Sequence, residues 1–186
     1  MDPYGLHKLD CEKFTLAKKA RHDAINDVLS RGLRQAQVAN RVEPHGLHVD
    51  DNICPDGVTL LPWSNGRCLT WDVTVHNTYA QSYLPQASRQ VGAVARRAEG
   101  EKRRLYQPLM DRFMFVPFVL ETSGVWGEEA REFVKQIGRR ITQVTGEQRA
   151  TSFLYQRISI EATRGTSIIL LEGLPSGDHL DELFEL

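Results

Sequence analysis

A chain of 186 residues suits one domain with room for a small appendage. Hydrophobic residues make up 41% and charged residues 25%, which is enough for a buried core, and no run of eighteen apolar residues suggests a membrane-spanning helix. The net charge of −1 excludes a uniformly basic nucleic-acid binder and directs attention to local charge instead.

The first fourteen residues contain the breakers Pro3 and Gly5 and read as irregular. They lack the basic-then-apolar layout of a secretory leader, so the chain is expected to stay inside the cell. Cys11, Cys54 and Cys68 are odd in number and unpatterned, which fits a reducing compartment. His7 and Cys11 are two metal-ligand types close together, but a structural zinc site needs about four ligands. Residues 15–39 read as a helix that Thr15 can cap, with Ala17, Ala20, Ala24, Ile25, Val28, Leu29 and Leu33 at three- and four-residue steps. His22 and Asn26, four apart, share one face of it. Val42, Glu43 and Pro44 form a short extended stretch, and residues 46–52 form a loop with two aspartates.

The next stretch, 54–75, reads CPDGVTLLPWSNGRCLTWDVTV. Two runs rich in β-formers, 58–61 and 68–75, flank a turn containing Asn65-Gly66, the strongest short hairpin signal. Folding the hairpin lets Asp56, at the open end of one strand, approach Asp72, near the far end of the other. Two carboxylates there suit a hard divalent cation. Asp before Gly is also common in plain turns, and an Asp near a strand end is often a simple cap. Asp72, however, stands inside a strongly β run, where Asp is disfavoured.

Residues 77–88 are polar and turn-like, and Ser88 can cap a helix from Arg89 to about Tyr106. Arg89, Arg96, Arg97, Lys102, Arg103 and Arg104 stand there against Glu99 and Glu101, giving a local basic face. Residues 113–120 form a continuous apolar run that reads as a buried strand, and Pro117 places it at an edge or a bulge. Helices follow over 127–141 and from 147 to 160 or beyond, then a short apolar piece at 167–171. Residues 175–186 carry Asp178, Asp181, Glu182 and Glu185 and no Lys or Arg; without that −4 the remainder carries +3. The expected organisation is an N-terminal segment 1–14, a domain 15–174 and an acidic tail 175–186. The expected fold class is α/β, a mixed sheet flanked by helices with further helices after it.

The order of motifs is more specific than any one of them. Arg21-His22-Asp23 with Asn26 comes first, then Glu43-Pro44 with Gly46-Leu47, Pro55-Asp56-Gly57, Pro62-Trp63 and Trp71-Asp72-Val73-Thr74. Ala95, Ala98, Lys102 and Tyr106 follow, then Phe115 to Pro117, Glu121-Thr122, Gly124 and Gln156-Arg157-Ile158-Ser159. Over nearly the whole chain this resembles the PD-(D/E)xK nuclease superfamily, and within it the restriction-like endonuclease domain of site-specific non-LTR retrotransposons.

The resemblance implies a restriction-endonuclease-like sheet and an endonuclease that hydrolyses DNA phosphodiesters. Mg²⁺ or Mn²⁺ would be held by Asp56 and Asp72 with the backbone carbonyl of Val73. Glu43 would be a further carboxylate, with His22 and Asn26 as support, and Arg89, Arg96, Arg97, Arg103 and Arg104 would grip DNA phosphates. The superfamily's lysine stands two residues after the second acid, where this chain has Thr74. Relatives of this kind take it from the next helix, and Lys102 matches that place. The family also has a zinc knuckle before this domain, so His7 and Cys11 resemble half a site, able to hold Zn²⁺ only with ligands further upstream. Implied partners are DNA and a reverse transcriptase domain in a longer polyprotein, with no membrane and with a nuclear location. Two other readings stay open: a DNA- or protein-binding module weakened in catalysis, and a structure-specific nuclease for branched DNA.

Overall fold

The computed structural model describes Leu9 and residues 11–48 and 53–172. His7, the acidic residues 175–186 and the two aspartates of the 46–52 loop lie outside the described residues. Helix α1 spans Thr15–Gln35, followed by strands β1 (Asn40–Val42), β2 (Gly57–Thr59) and β3 (Leu69–His76). Then come α2 (Leu84–Ala87), α3 (Ala93–Leu105), β4 (Met114–Glu121), α4 (Glu128–Thr145) and α5 (Ala150–Glu172). Four strands form one sheet in the order β1-β2-β3-β4. The first two pairings are antiparallel and β3–β4 is parallel, with α3 in the crossover. The fold is thus α/β, a mixed sheet flanked by helices, with two long helices at the end. No helix among the described residues is long and apolar enough to cross a membrane.

Alternation along β3 assigns the two faces of the sheet. Leu69, Trp71 and Val73 point into the main core, where Phe118 and Leu120 of β4 meet Ile25 and Leu29 of α1, Phe133 and Ile137 of α4, and Ile158 of α5. The opposite face is covered by α3, whose Ala95 and Ala98 pack on Val119. Asp72 and Thr74 therefore face the α3 side. Pro117 stands in the edge strand β4, where a missing N–H costs no ladder bond.

Several boundaries differ from the sequence expectation, each for a local reason. Helix α1 stops at Gln35, not at residue 39. Gln37 adopts a left-handed conformation (φ 58°), and the N–H groups of Gln37 and Val38 close back onto the carbonyls of Arg34 and Leu33. That is a Schellman ending with Gln in place of Gly, fixed by Val38 and Leu33 entering the same core. Glu43 is left-handed (φ 47°), not extended. Ser88 does not start a helix at Arg89: it closes the short α2, which interrupts the turn-like 77–88 stretch, and left-handed Gly92 (φ 75°) sets the start of α3 at Ala93. Residues 167–171 are not a separate piece, since α5 runs through them to Glu172. The Asn65-Gly66 turn forms, with both residues at positive φ, and Ser64 pairs with Arg67 across it.

Candidate metal and phosphate site

Gly57 is the key to how β2 meets β3. It pairs with Trp71, and the indole lies so close that a Cβ on Gly57 would sit 2.0 Å from the ring. With the strands this close, Asp56 and Asp72 flank one register pair. The Asp56 N–H donates to the Trp71 carbonyl (2.9 Å), and the Val73 N–H donates to Asp56 Oδ2 (2.5 Å). Val73 thus presents its backbone N–H to the first acid.

Helix α1 braces Asp56 from the core side of the sheet. Asn26, buried, accepts from the Trp71 indole N–H (2.8 Å) and donates to the Asp56 carbonyl (3.2 Å). One turn earlier, His22 Nε2 lies 2.9 Å from Asp56 Oδ2, and its Nδ1 lies 3.1 Å from Asp23. The hydrogen bond to Asp56 raises the His22 imidazole to about 9, against the opposing pull of burial. At neutral pH it is an imidazolium donating from both nitrogens.

Helix α3 braces Asp72 from the other face. Lys102 Nζ lies 2.7 Å from Asp72 Oδ2, and the Thr74 hydroxyl donates to the same oxygen (3.2 Å). The Tyr106 hydroxyl donates to Asp72 Oδ1 (2.6 Å) and lies 2.9 Å from the Cys54 carbonyl. Burial, then the charge of Asp72, pushes the Tyr106 phenol above its ordinary range, so it stays protonated. Its ring stacks on Phe115 (centroids 4.5 Å apart), which fixes the hydroxyl in place.

The structure therefore brings together Asp56, Asp72, Val73, Lys102, His22 and Asn26. Glu43 joins through its backbone, with its N–H donating to the Asp56 carbonyl (2.9 Å). The Glu43 side chain is exposed, 3.8 Å from Lys19. Cys11 is half-buried in the segment before α1. The basic residues divide. Arg103 is committed to a two-pronged ion pair with Glu129 of α4, with Nε 2.7 Å from Oε1. Arg97 pairs with Glu101 along its own helix (2.9 Å) and lies over Tyr83. Arg89, Arg96 and Arg104 are exposed. Sequence reasoning gave Tyr106 no role at the acids, although its four-residue step from Lys102 puts both on one helix face.

Among the described residues, no three His, Cys, Asp or Glu side chains cluster tightly enough to hold a metal by themselves. Two carboxylates nevertheless suit Mg²⁺ or Mn²⁺, ions that keep several waters and bind through one or two carboxylates plus substrate phosphate. In comparisons with known proteins, no family model matches the chain, and no curated protein matches it.

Proposed function

We propose that the protein is a metal-dependent DNA endonuclease of the restriction-like kind that serves retrotransposon insertion. The observation that carries this reading is Lys102 at 2.7 Å from Asp72. A cation delivered by α3 stands beside the second acid, although the strand itself offers only Thr74. Asp56 and Asp72 would hold the divalent ion. When bound, such an ion lowers the pKa of a coordinated water and offsets charge on the phosphate. The Val73 N–H and His22 orient Asp56, while Tyr106 and Thr74 orient Asp72, so both carboxylates are fixed before substrate arrives. Lys102 would stabilise the attacking hydroxide and the charge building on phosphorus. Arg89, Arg96 and Arg104 would contact phosphates without reading bases. The partners proposed with this activity are DNA and a reverse transcriptase domain of a longer polyprotein, in the nucleus.

One observation favours a second reading. Both oxygens of Asp72 already have protein partners, as a purely structural polar network would. A nicking assay on supercoiled DNA separates the two. Cleavage with Mg²⁺ or Mn²⁺, none with chelator, and its loss in Asp56→Ala and Asp72→Ala with DNA binding retained are the expected results. DNA retention with no cleavage under any metal favours the binding module.

A further inference from the structure

Helix α3 carries Lys102 and Tyr106 to Asp72, while two residues on its flank are engaged elsewhere. Glu99 and Arg103 stand four apart, on a face next to that of Lys102 and Tyr106. Both reach the first turn of α4. Glu99 Oε1 accepts the Glu129 N–H (3.0 Å), and the Arg103 guanidinium forms its two-pronged pair with the Glu129 carboxylate, with Nε 2.7 Å from Oε1. Gly127, just before α4, lets the two helices meet here: a Cβ on it would lie 2.2 Å from Glu99 Oε1.

The placement of Lys102 depends on such a hold. Helix α3 lies on the sheet through Ala95 and Ala98 against Val119, and methyl groups interlock little. Its start is tied by the Ala95 N–H to Glu121 (3.0 Å), and its end by the Tyr106 ring stacked on Phe115. The turn between, which carries Lys102, is gripped at Arg103. The Lys102 stem is long, flexible and 26% exposed, so it does not fix its own ammonium. The ion pair is suited to orientation more than to stability. Its side chains are 41% and 28% exposed, and a solvent-accessible pair contributes little to folding. A two-pronged contact between arginine and carboxylate does fix a geometry.

We propose that Arg103 and Glu129 are positioning residues, whose ion pair sets the turn of α3 that holds Lys102 beside Asp72. The proposal rests on the reading of Asp56, Asp72 and Lys102 as a hydrolytic site. It gives Arg103 a role other than the phosphate grip that its place in a basic stretch suggests. Glu129, an acid, cannot have that other role at all.

The test uses the full chain and two readouts. Single-turnover nicking of supercoiled DNA in Mn²⁺, at equal bound DNA, is compared for the wild type, Glu129→Gln and Arg103→Ala, and for each variant combined with Lys102→Ala. Glu129→Gln and Arg103→Ala should each slow cleavage about tenfold, less than the roughly hundredfold that a misplacement of about 1 Å can cost. Tm should move by no more than about 2 °C. In the Lys102→Ala background both should change the rate by less than about twofold, because they act through a group already removed. The second readout needs no cleavage. The rate at which an acetylating reagent modifies Lys102, followed by mass spectrometry, should rise in both variants, since the ammonium is then less well held at Asp72. Equal slowing in both backgrounds, a wild-type rate in Glu129→Gln, or an unchanged Lys102 modification rate would each overturn the proposal. No cleavage by the wild type would remove the hydrolytic reading, and the Lys102 modification rate would then decide whether the pair places this side chain.

Discussion

Two acids on the α3 side of the sheet are buried alike and built differently. Asp72 is 5% exposed and Glu121 is 4% exposed. Glu121 ends β4, and neutral groups satisfy it: the Ala95 N–H at the start of α3 (3.0 Å) and the hydroxyls of Thr78 (3.2 Å) and Ser123 (3.1 Å). It caps a helix and ties loops together, as an acid near a helix N-terminus does well. Asp72 sits in mid-strand and draws a lysine and a tyrosine from the helix that follows. Burial alone does not separate a structural acid from a candidate ligand. The donors do: one backbone amide and hydroxyls for Glu121, hydroxyls and a lysine ammonium for Asp72.

Breaking each acid in turn sharpens that contrast. The largest effect is expected from Asp72→Ala, which should drop metal-dependent cleavage below detection in a nicking assay while leaving Tm nearly unchanged. Its partners have other recourse, since Tyr106 keeps the Cys54 carbonyl and the Lys102 side chain is 26% exposed. Next is Lys102→Ala, for which the single-turnover rate should fall roughly a hundredfold, the low end for a proton-transfer group. Glu121→Ala should do the reverse of Asp72→Ala: cleavage per folded molecule persists, and stability to denaturant falls by about 2 kcal/mol, because the Ala95 N–H is left buried and unpaired.

The smallest effect concerns Glu99, a third buried acid, which accepts the Glu129 N–H at the start of α4 (3.0 Å). Burial raises its carboxyl above the ordinary range. A raised carboxyl contributes stability that is full below the ordinary carboxyl pKa and is lost as pH rises through the raised one. Glu99→Gln keeps the accepting oxygen and removes the charge. Its stability relative to wild type should therefore rise between acidic and neutral pH, as followed by denaturation at a series of pH values.

What the sequence made legible was mostly local. Asn65-Gly66 placed the hairpin, the disfavoured Asp72 in a β run drew attention to the candidate site, and the His22–Asn26 spacing put both on one face, where they reach Asp56. Pro117 pointed to an edge strand. What escaped depended on contacts between distant elements. Gly57 looked like a turn residue, yet it is there to admit the Trp71 indole. Arg103 looked like a phosphate ligand, yet Glu129, 26 residues on, claims it. The end of α1 rests on Gln37 taking a glycine's conformation because Val38 has a core to enter, and no propensity scale anticipates that.

The central claim is that Asp56 and Asp72, with Lys102 beside them, form one metal-dependent hydrolytic site. Single-turnover nicking of supercoiled DNA in Mn²⁺, comparing wild type, Lys102→Ala and the double variant Asp56→Ala/Asp72→Ala at equal bound DNA, tests it most directly. The account predicts cleavage by the wild type, slow cleavage by Lys102→Ala and none by the double variant. Cleavage by the double variant at the wild-type rate, or none by the wild type in any divalent metal, would contradict it.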